Sequence, residues 1–168
     1  MVRHMLASAA LMLGALAACT PGDGTTARAQ VPAVAESSTP ARHPVSGLEV
    51  IDLVVESGDR RIAFKVELAA SPEAQAKGLM FRTELGDNEG MIFPSPAPEV
   101  RSFWMKNTPL SLDIIFIGPD GRIANVAANT VPYSLDSVRS SGLASAVLEL
   151  RAGRAAELGI GPGDKVSW

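Results

Sequence analysis

The densest group of residues that could bind a ligand lies in one short run, Phe103 to Pro109. Within it, an aromatic ring, an ammonium, an amide and a hydroxyl follow closely on one another, in Trp104, Lys106, Asn107 and Thr108. Together such groups could hold a small polar ligand or the face of a sugar. The run also fits a structural interpretation, in which the tryptophan packs in the core and asparagine and proline build a turn. Both hypotheses stay open at this point.

Two carboxylates, Asp113 and Glu149, each stand alone in a run of strand-forming apolar residues. A buried carboxylate without a partner is costly, so each is expected to meet a cation or hydrogen-bond donors, or to be protonated. Arg82 and Lys106 are the natural cationic partners. One interpretation joins these four residues in an ion-pair network under a sheet. The other places them along a cleft, where they contact a ligand.

Catalysis by the two acids is a further alternative. Asp113 and Glu149 could act as acid and base on a glycan, which requires carboxyl groups roughly 5–9.5 Å apart. The predicted domain has no histidine or cysteine, because His4, His43 and Cys19 all precede residue 47. Ser-His and Cys-His nucleophiles and ordinary zinc sites are therefore excluded there. We expect no metal, no cofactor and no catalysis, with the two acids as the catalytic alternative.

The charge pattern argues against nucleic acid as a partner. The formal net charge is −3, and basic residues rarely adjoin aromatic ones. The glycine-containing turn Gly161–Asp164 lacks the Lys and Ser or Thr that would make it a phosphate-binding loop.

Short strands and tight turns must position these side chains. Ile62 to Leu68 alternates apolar and polar residues, which predicts a half-buried strand in a hairpin with Leu48 to Val55. Ser71 and Pro72 predict a helix start, and the helix should end near Lys77. Further strands are predicted at 90–93, 101–106, 112–117, 122–127, 146–150 and 165–168, with a second helix at 152–158. The pattern predicts an α+β domain with a mainly antiparallel, barrel-like β-sheet and two short helices.

The N-terminal residues are typical of a secretory signal. The apolar run Leu6 to Ala18 is shorter than the roughly 20 residues that span a bilayer. Its end resembles a bacterial lipoprotein signal, which implies cleavage after residue 18 and lipidation of Cys19. The protein is then expected in the cell envelope, facing the periplasm and held by a lipid anchor, with the outer membrane favoured. Alternatively, cleavage at Ala27–Ala29 would release a soluble periplasmic or secreted protein.

The composition divides the chain into three parts. Residues 1–18 are the predicted signal peptide. Residues 19–46 comprise the lipidated cysteine and a flexible tether, because they are rich in Pro, Gly, Ser, Thr and Ala and carry no aromatic residue. Residues 47–168 form the predicted globular domain, which is about one small domain in length.

The domain resembles the DUF192 family of uncharacterised bacterial and archaeal proteins. The resemblance rests on six stretches in the family's order: Gly78–Arg82, Gly90–Phe93, Phe103–Thr108, Leu110–Phe116, Val147–Leu150 and Gly163–Val166. It implies a compact, β-rich α+β domain, often behind a signal peptide or lipid anchor, and it implies no activity. The family's motif residues map onto Arg82, Trp104, Lys106, Asn107, Thr108, Asp113 and Glu149. These are our candidate ligand-binding residues.

Three hypotheses for function follow. The first is a cell-envelope lipoprotein whose domain binds a small molecule, glycan or envelope protein without catalysis. The second is a carboxylate-dependent hydrolase acting on an envelope glycan or peptide. The third is a structural module that recognises another protein.

Overall fold

The structure is a computed structural model that describes residues 41–168. The predicted signal peptide, the lipidation site Cys19 and the tether up to residue 40 lie outside the described residues. Within 41–168, no helix has both the length and the apolar character needed to cross a bilayer.

Most of the described chain forms one seven-stranded sheet with two short helices. The elements are β1 (Val50–Ser57), β2 (Arg60–Leu68), α1 (Pro72–Lys77), β3 (Glu89–Phe103), β4 (Leu112–Ile117), β5 (Ile123–Ala127), β6 (Val138–Arg151), α2 (Arg154–Leu158) and β7 (Lys165–Ser167). The strand order is β5-β4-β6-β3-β2-β1-β7, and only β2 and β3 pair in parallel. The predicted α+β fold is confirmed.

The sheet curls until its two edge strands meet at one end. An isolated antiparallel bridge joins Arg122, just before β5, to Lys165 at the start of β7. The Ile123 amide donates to the Asp164 carbonyl at 2.8 Å, and the Val166 amide donates to the Gly121 carbonyl at the same distance. These bonds make a half-barrel, in keeping with the barrel-like sheet that the sequence predicts.

The strand β3 differs from the prediction. The sequence predicts two short strands separated by prolines, whereas the structure forms a single 15-residue strand that runs through Pro94, Pro96 and Pro98. The pairing of β3 with β6 shifts register between Pro94 and Glu99. Such a bulge tolerates residues that cannot donate a ladder hydrogen bond, so the prolines bend the strand without ending it.

Helix α1 begins and ends as predicted. The Ser71 hydroxyl accepts a hydrogen bond from the Ala74 amide at 3.1 Å, and Pro72 opens the first turn. At the other end Gly78 has a φ of 49° and a ψ of −137°, which favours glycine. A Cβ atom there would lie 3.4 Å from the Phe93 ring. Gly78 thus lets the chain turn closely over the sheet.

Both faces of the sheet are buried. Inside the curl, Leu53, Phe64 and Ile115 belong to one core. On the outer face, Phe93 and Phe116 belong to a second core, which is completed by the following residues from outside the sheet: Ala69, Leu79 and Met105. Every residue of β4 is consequently buried, which explains why that strand is apolar throughout except for Asp113.

Residues 41–46, which the sequence analysis placed in the tether, pack against the domain. The Val50 amide donates to the Ala41 carbonyl at 2.7 Å, and the His43 amide donates to the Leu48 carbonyl at 2.8 Å. The folded unit therefore starts earlier than predicted. It includes one histidine, His43, contrary to the expectation that the domain has none.

Candidate functional site

A cavity of about 340 Å³ opens on the outer face of the sheet. Residues 75–80, from α1 and the turn after it, form one side, and residues 101–105 with Thr108 form the other. Its buried lining residues are Leu79, Phe93, Met105, Thr108, Leu112 and Glu149, whereas Lys77 and Trp104 are exposed at the mouth. The cavity thus has an apolar interior with one carboxyl group and a more polar rim.

Glu149 supplies the carboxyl group of this cavity. It lies on β6 beside Met91 of β3 and Ile114 of β4, and only 5% of it is exposed. At Gly90, β3 and β6 approach so closely that a Cβ atom on Gly90 would lie 2.5 Å from the Glu149 carbonyl oxygen. The backbone of Glu149 is therefore packed tightly between neighbouring strands.

The Glu149 carboxyl differs from every other buried acid in the domain. No group among residues 41–168 forms a hydrogen bond or an ion pair with it, and burial alone raises its pKa to about 8. No fully enclosed side-chain oxygen in this range lacks a partner, so the carboxyl oxygens reach the cavity. At pH 7 the group is a neutral acid that can both donate and accept a hydrogen bond.

The rings of Phe93 and Phe103 line one wall of the cavity, and Phe116 packs behind them. The Phe93 and Phe103 rings meet edge to face with centroids 5.1 Å apart, and Phe103 meets Phe116 in the same way at 6.2 Å. The Arg101 guanidinium lies 5.3 Å from the centroid of the Phe103 ring. It also donates to the Ser95 hydroxyl at 2.7 Å. A cation is thereby fixed beside an apolar wall.

Trp104 and Lys106 are close together, as one hypothesis requires. The Lys106 Nζ lies 5.2 Å from the centroid of the Trp104 ring. The indole is 49% exposed, so Trp104 does not pack in the core as the structural interpretation expects. Trp104 lines the cavity and Lys106 is outside its lining.

Asn107 and Thr108 form the turn that follows Trp104. Asn107 has a φ of 54°, and its carbonyl accepts a hydrogen bond from the Phe81 amide at 2.8 Å. The Thr108 carbonyl accepts from the Tyr133 amide at 3.1 Å, and its hydroxyl donates to the Lys106 carbonyl at 3.1 Å. The turn therefore ties the two sides of the cavity together, and Thr108 also contributes to its lining.

Asp113 lies on the opposite face of the sheet from Glu149. In the ladder it faces Leu150, whereas Ile114 faces Glu149, and side chains alternate between faces. Its carboxylate accepts hydrogen bonds from the amides of Asn129 at 2.9 Å, Gly153 at 3.1 Å and Ala155 at 2.9 Å. Asp113 thus organises the loop after β5 and the start of α2. The alternative in which it pairs with Glu149 as acid and base is wrong, because the sheet separates the two groups.

Arg82 also has a different partner from the one expected. Its guanidinium donates to the Glu67 carboxylate at 2.8 Å, and its Nη2 lies 3.1 Å from the His43 Nε2. Glu67 is 3% exposed and accepts a further hydrogen bond from the Ser46 hydroxyl. The expected network of two acids with Arg82 and Lys106 therefore does not form. Arg82 instead holds residues 41–46, the N-terminal arm, against β2.

The structure thus separates the seven candidate residues. Trp104, Thr108 and Glu149 line one cavity, and Lys106 and Asn107 flank it. Sequence reasoning placed Arg101 on a predicted strand but missed it as part of this lining, because no local pattern shows which strand residues reach a cavity. Among residues 41–168 no three His, Cys, Asp or Glu side chains are grouped so that they could hold a metal ion.

Comparisons with known proteins give one family and two similar solved structures. The family model DUF192, described as "Uncharacterized ACR", matches residues 53–168. A crystal structure of a protein of unknown function from Novosphingobium aromaticivorans is 53% identical with a TM-score of 0.75, and the match covers 79% of this chain and 95% of that one. A protein from Sinorhizobium meliloti, described as a suspected transcription regulator, is 35% identical with a TM-score of 0.69, covering 71% and 94%. No curated protein matches the chain.

Proposed function

This chain belongs to the DUF192 family, and we propose that its domain binds a small molecule in the cavity that contains Glu149. The observation that carries the proposal is a carboxyl group that is buried, faces a cavity and has no partner among the described residues. Leaving such a group unpaired costs free energy, whereas an apolar residue of similar size would cost none.

The other buried acids of the domain provide an internal comparison. Asp113 accepts hydrogen bonds from three backbone amides, and Glu67 is satisfied by Arg82 and Ser46. The fold therefore satisfies its structural carboxylates with neighbouring groups. Glu149 is the exception, which supports a role toward a molecule from outside the chain.

The size of the cavity supports a small ligand. About 340 Å³ lies near the lower end of the roughly 300–1,000 Å³ typical of ligand sites. The edge-to-face aromatic wall and Met105 favour an apolar body, and Glu149 provides one polar contact for orientation. Asp113 lies beyond the sheet, and Glu149 is the one carboxyl in the cavity lining among residues 41–168, which favours binding over carboxylate-dependent hydrolysis.

The proposal extends to the location of the domain. We propose that Cys19 carries a lipid and that the residues after it connect the membrane to the folded domain. The support is the short apolar run that ends at Cys19 and the composition of the tether. The domain would then sample small molecules of the cell envelope.

The binding proposal is tested by ligand-observed NMR with a library of small aromatic fragments. Ala76 lies on α1 in the cavity lining and is exposed, so Ala76→Trp should fill the mouth. Ala156 is exposed on α2 outside the lining, so Ala156→Trp is the matched control. We expect fragments that bind the natural protein and Ala156→Trp, and that lose binding to Ala76→Trp. Absence of any bound fragment, or equal binding to all three proteins, would overturn the proposal.

A further inference from the structure

The charged groups around the cavity are unevenly distributed. Its lining contains three ionisable side chains: Lys77 from the last turn of α1, Arg101 from β3 and Glu149 from β6. β4 contributes only Leu112 to the lining, and the segment after β3 contributes Trp104, Met105 and Thr108, which carry no charge near pH 7. Lys106 adds another cation next to the Trp104 ring.

The residues from 41 to 168 neutralise these cations only in part. Arg101 lies 3.3 Å from the Glu99 carboxylate, which is itself 59% exposed. Lys77 and Lys106 form no ion pair with any group among residues 41–168. When Glu149 is neutral, the lining therefore carries positive charge at its mouth and a hydrogen-bond donor in its interior.

This inference depends on the proposed function. We infer that the ligand is a small organic anion whose charged group meets the lining cations Lys77 and Arg101, while a carbonyl or similar acceptor meets the Glu149 carboxyl inside. The neutral carboxyl donates its O–H to the acceptor of the ligand. An ammonium ligand would be repelled by the cations of the rim and would require ionised Glu149 instead.

The binding affinity of an anionic ligand and that of a cationic ligand should change with pH in opposite directions. An acceptor that needs the Glu149 proton binds less well as pH rises through about 8, where the carboxyl ionises. A group with this pKa is about one-tenth protonated at pH 9, so affinity should fall about tenfold between pH 6 and pH 9. A cation would bind more tightly over the same range.

Three probes of one shape distinguish these cases: hippurate, hippuramide and N-(2-aminoethyl)benzamide. Each has a phenyl ring and an amide carbonyl, and they differ in carrying a carboxylate, a neutral amide or an ammonium. A cavity of about 340 Å³ exceeds the roughly 150 Å³ that holds benzene, so it has room for the phenyl ring of each probe. Binding is measured by calorimetry at pH 6 and pH 9, and by Trp104 fluorescence in a Trp168→Phe background, which removes the other indole.

We expect hippurate to bind at least tenfold more tightly than hippuramide at pH 6, and the amine to bind least. Glu149→Gln keeps an N–H donor, so it should bind hippurate equally at both pH values. Lys77→Gln should remove most of the preference for hippurate over hippuramide. Lys165→Gln, which changes an exposed lysine of β7 outside the lining, should retain it.

Three results would overturn the inference of an anionic ligand. They are tightest binding of the amine, a hippurate affinity that rises with pH, or equal binding of the three probes. So would failure of all three probes while library fragments still depend on an open cavity in the Ala76→Trp comparison. In each of these cases the binding proposal survives, because it is overturned only when that fragment comparison fails.

Discussion

Replacing Glu149 by glutamine should make the domain more stable at alkaline pH. The pKa of Glu149 rises from 4.5, the ordinary value for a glutamate, to about 8 in the folded protein. Between these values the folded state holds a proton that the unfolded state has released. The stabilising contribution of this proton is therefore complete below pH 4.5 and is lost as pH rises through about 8. Glutamine has nearly the same shape and no charge to bury.

The expected magnitude follows from the pKa difference. One pKa unit corresponds to about 1.4 kcal/mol, so this shift corresponds to at most about 5 kcal/mol across the whole range. Water entering the open cavity would reduce this value, so a difference on the order of 2–5 kcal/mol is expected at pH 9. Near pH 5 the natural protein and Glu149→Gln should have similar free energies of unfolding.

Urea denaturation followed by circular dichroism at pH 5, 7 and 9 measures this difference. Glu157→Gln is a suitable control, because hydrogen bonds from Arg151 and then Arg154 lower the pKa of Glu157. Its contribution is present above the ordinary glutamate pKa and is lost only toward acid pH, so the alkaline fall in stability should persist in this variant. If Glu149→Gln loses stability from pH 5 to pH 9 in parallel with the natural protein, the burial assigned to the carboxyl is wrong.

The remaining predictions concern the structural acids, the indole and the anchor. Asp113→Ala should lower the free energy of unfolding by about 2–5 kcal/mol in urea titrations, because three backbone amides lose their buried acceptor; a loss below 1 kcal/mol would contradict this role. Arg82→Ala should cost about 3–5 kcal/mol by leaving Glu67 buried without its cation, and Arg82→Lys should restore part of that loss. Trp104→Ala should cost only about 1–2 kcal/mol because the ring is half-exposed, yet it should abolish fragment binding measured by NMR; a large loss of stability would indicate a core role instead. Cys19→Ser should move the protein from the membrane to the soluble fraction of fractionated cells, and unchanged membrane retention would refute the lipid anchor.

Local rules were sufficient for much of the fold. The alternation from Ile62 to Leu68 predicted β2, and the capping residue Ser71 with Pro72 predicted α1 to its last residue. Both features depend on neighbours within a few positions, which the sequence displays directly. These rules failed to predict β3 as one strand, because its continuity through three prolines depends on pairing with β6.

Tertiary contacts decide which charged residues face the cavity and which are paired inside the domain. Asp113 and Glu149 look alike in sequence, each being a lone acid in an apolar run. Only the strand register shows that they point to opposite faces. Glu67 looked like a solvent-facing member of an alternating strand, but the arm containing His43 covers it. No local signal predicts what a distant segment will cover.

The parallel pairing of β2 and β3 has a consequence for how this domain could diversify. Two neighbouring parallel strands need a crossover connection that returns the chain to the other end of the sheet. Here residues 69–88 form this connection and cross the outer face. The side of the cavity formed by residues 75–80 thus belongs to a connecting segment and not to the sheet itself. Substitutions confined to 75–80 could change which molecules fit the cavity, while the strands beneath kept their register.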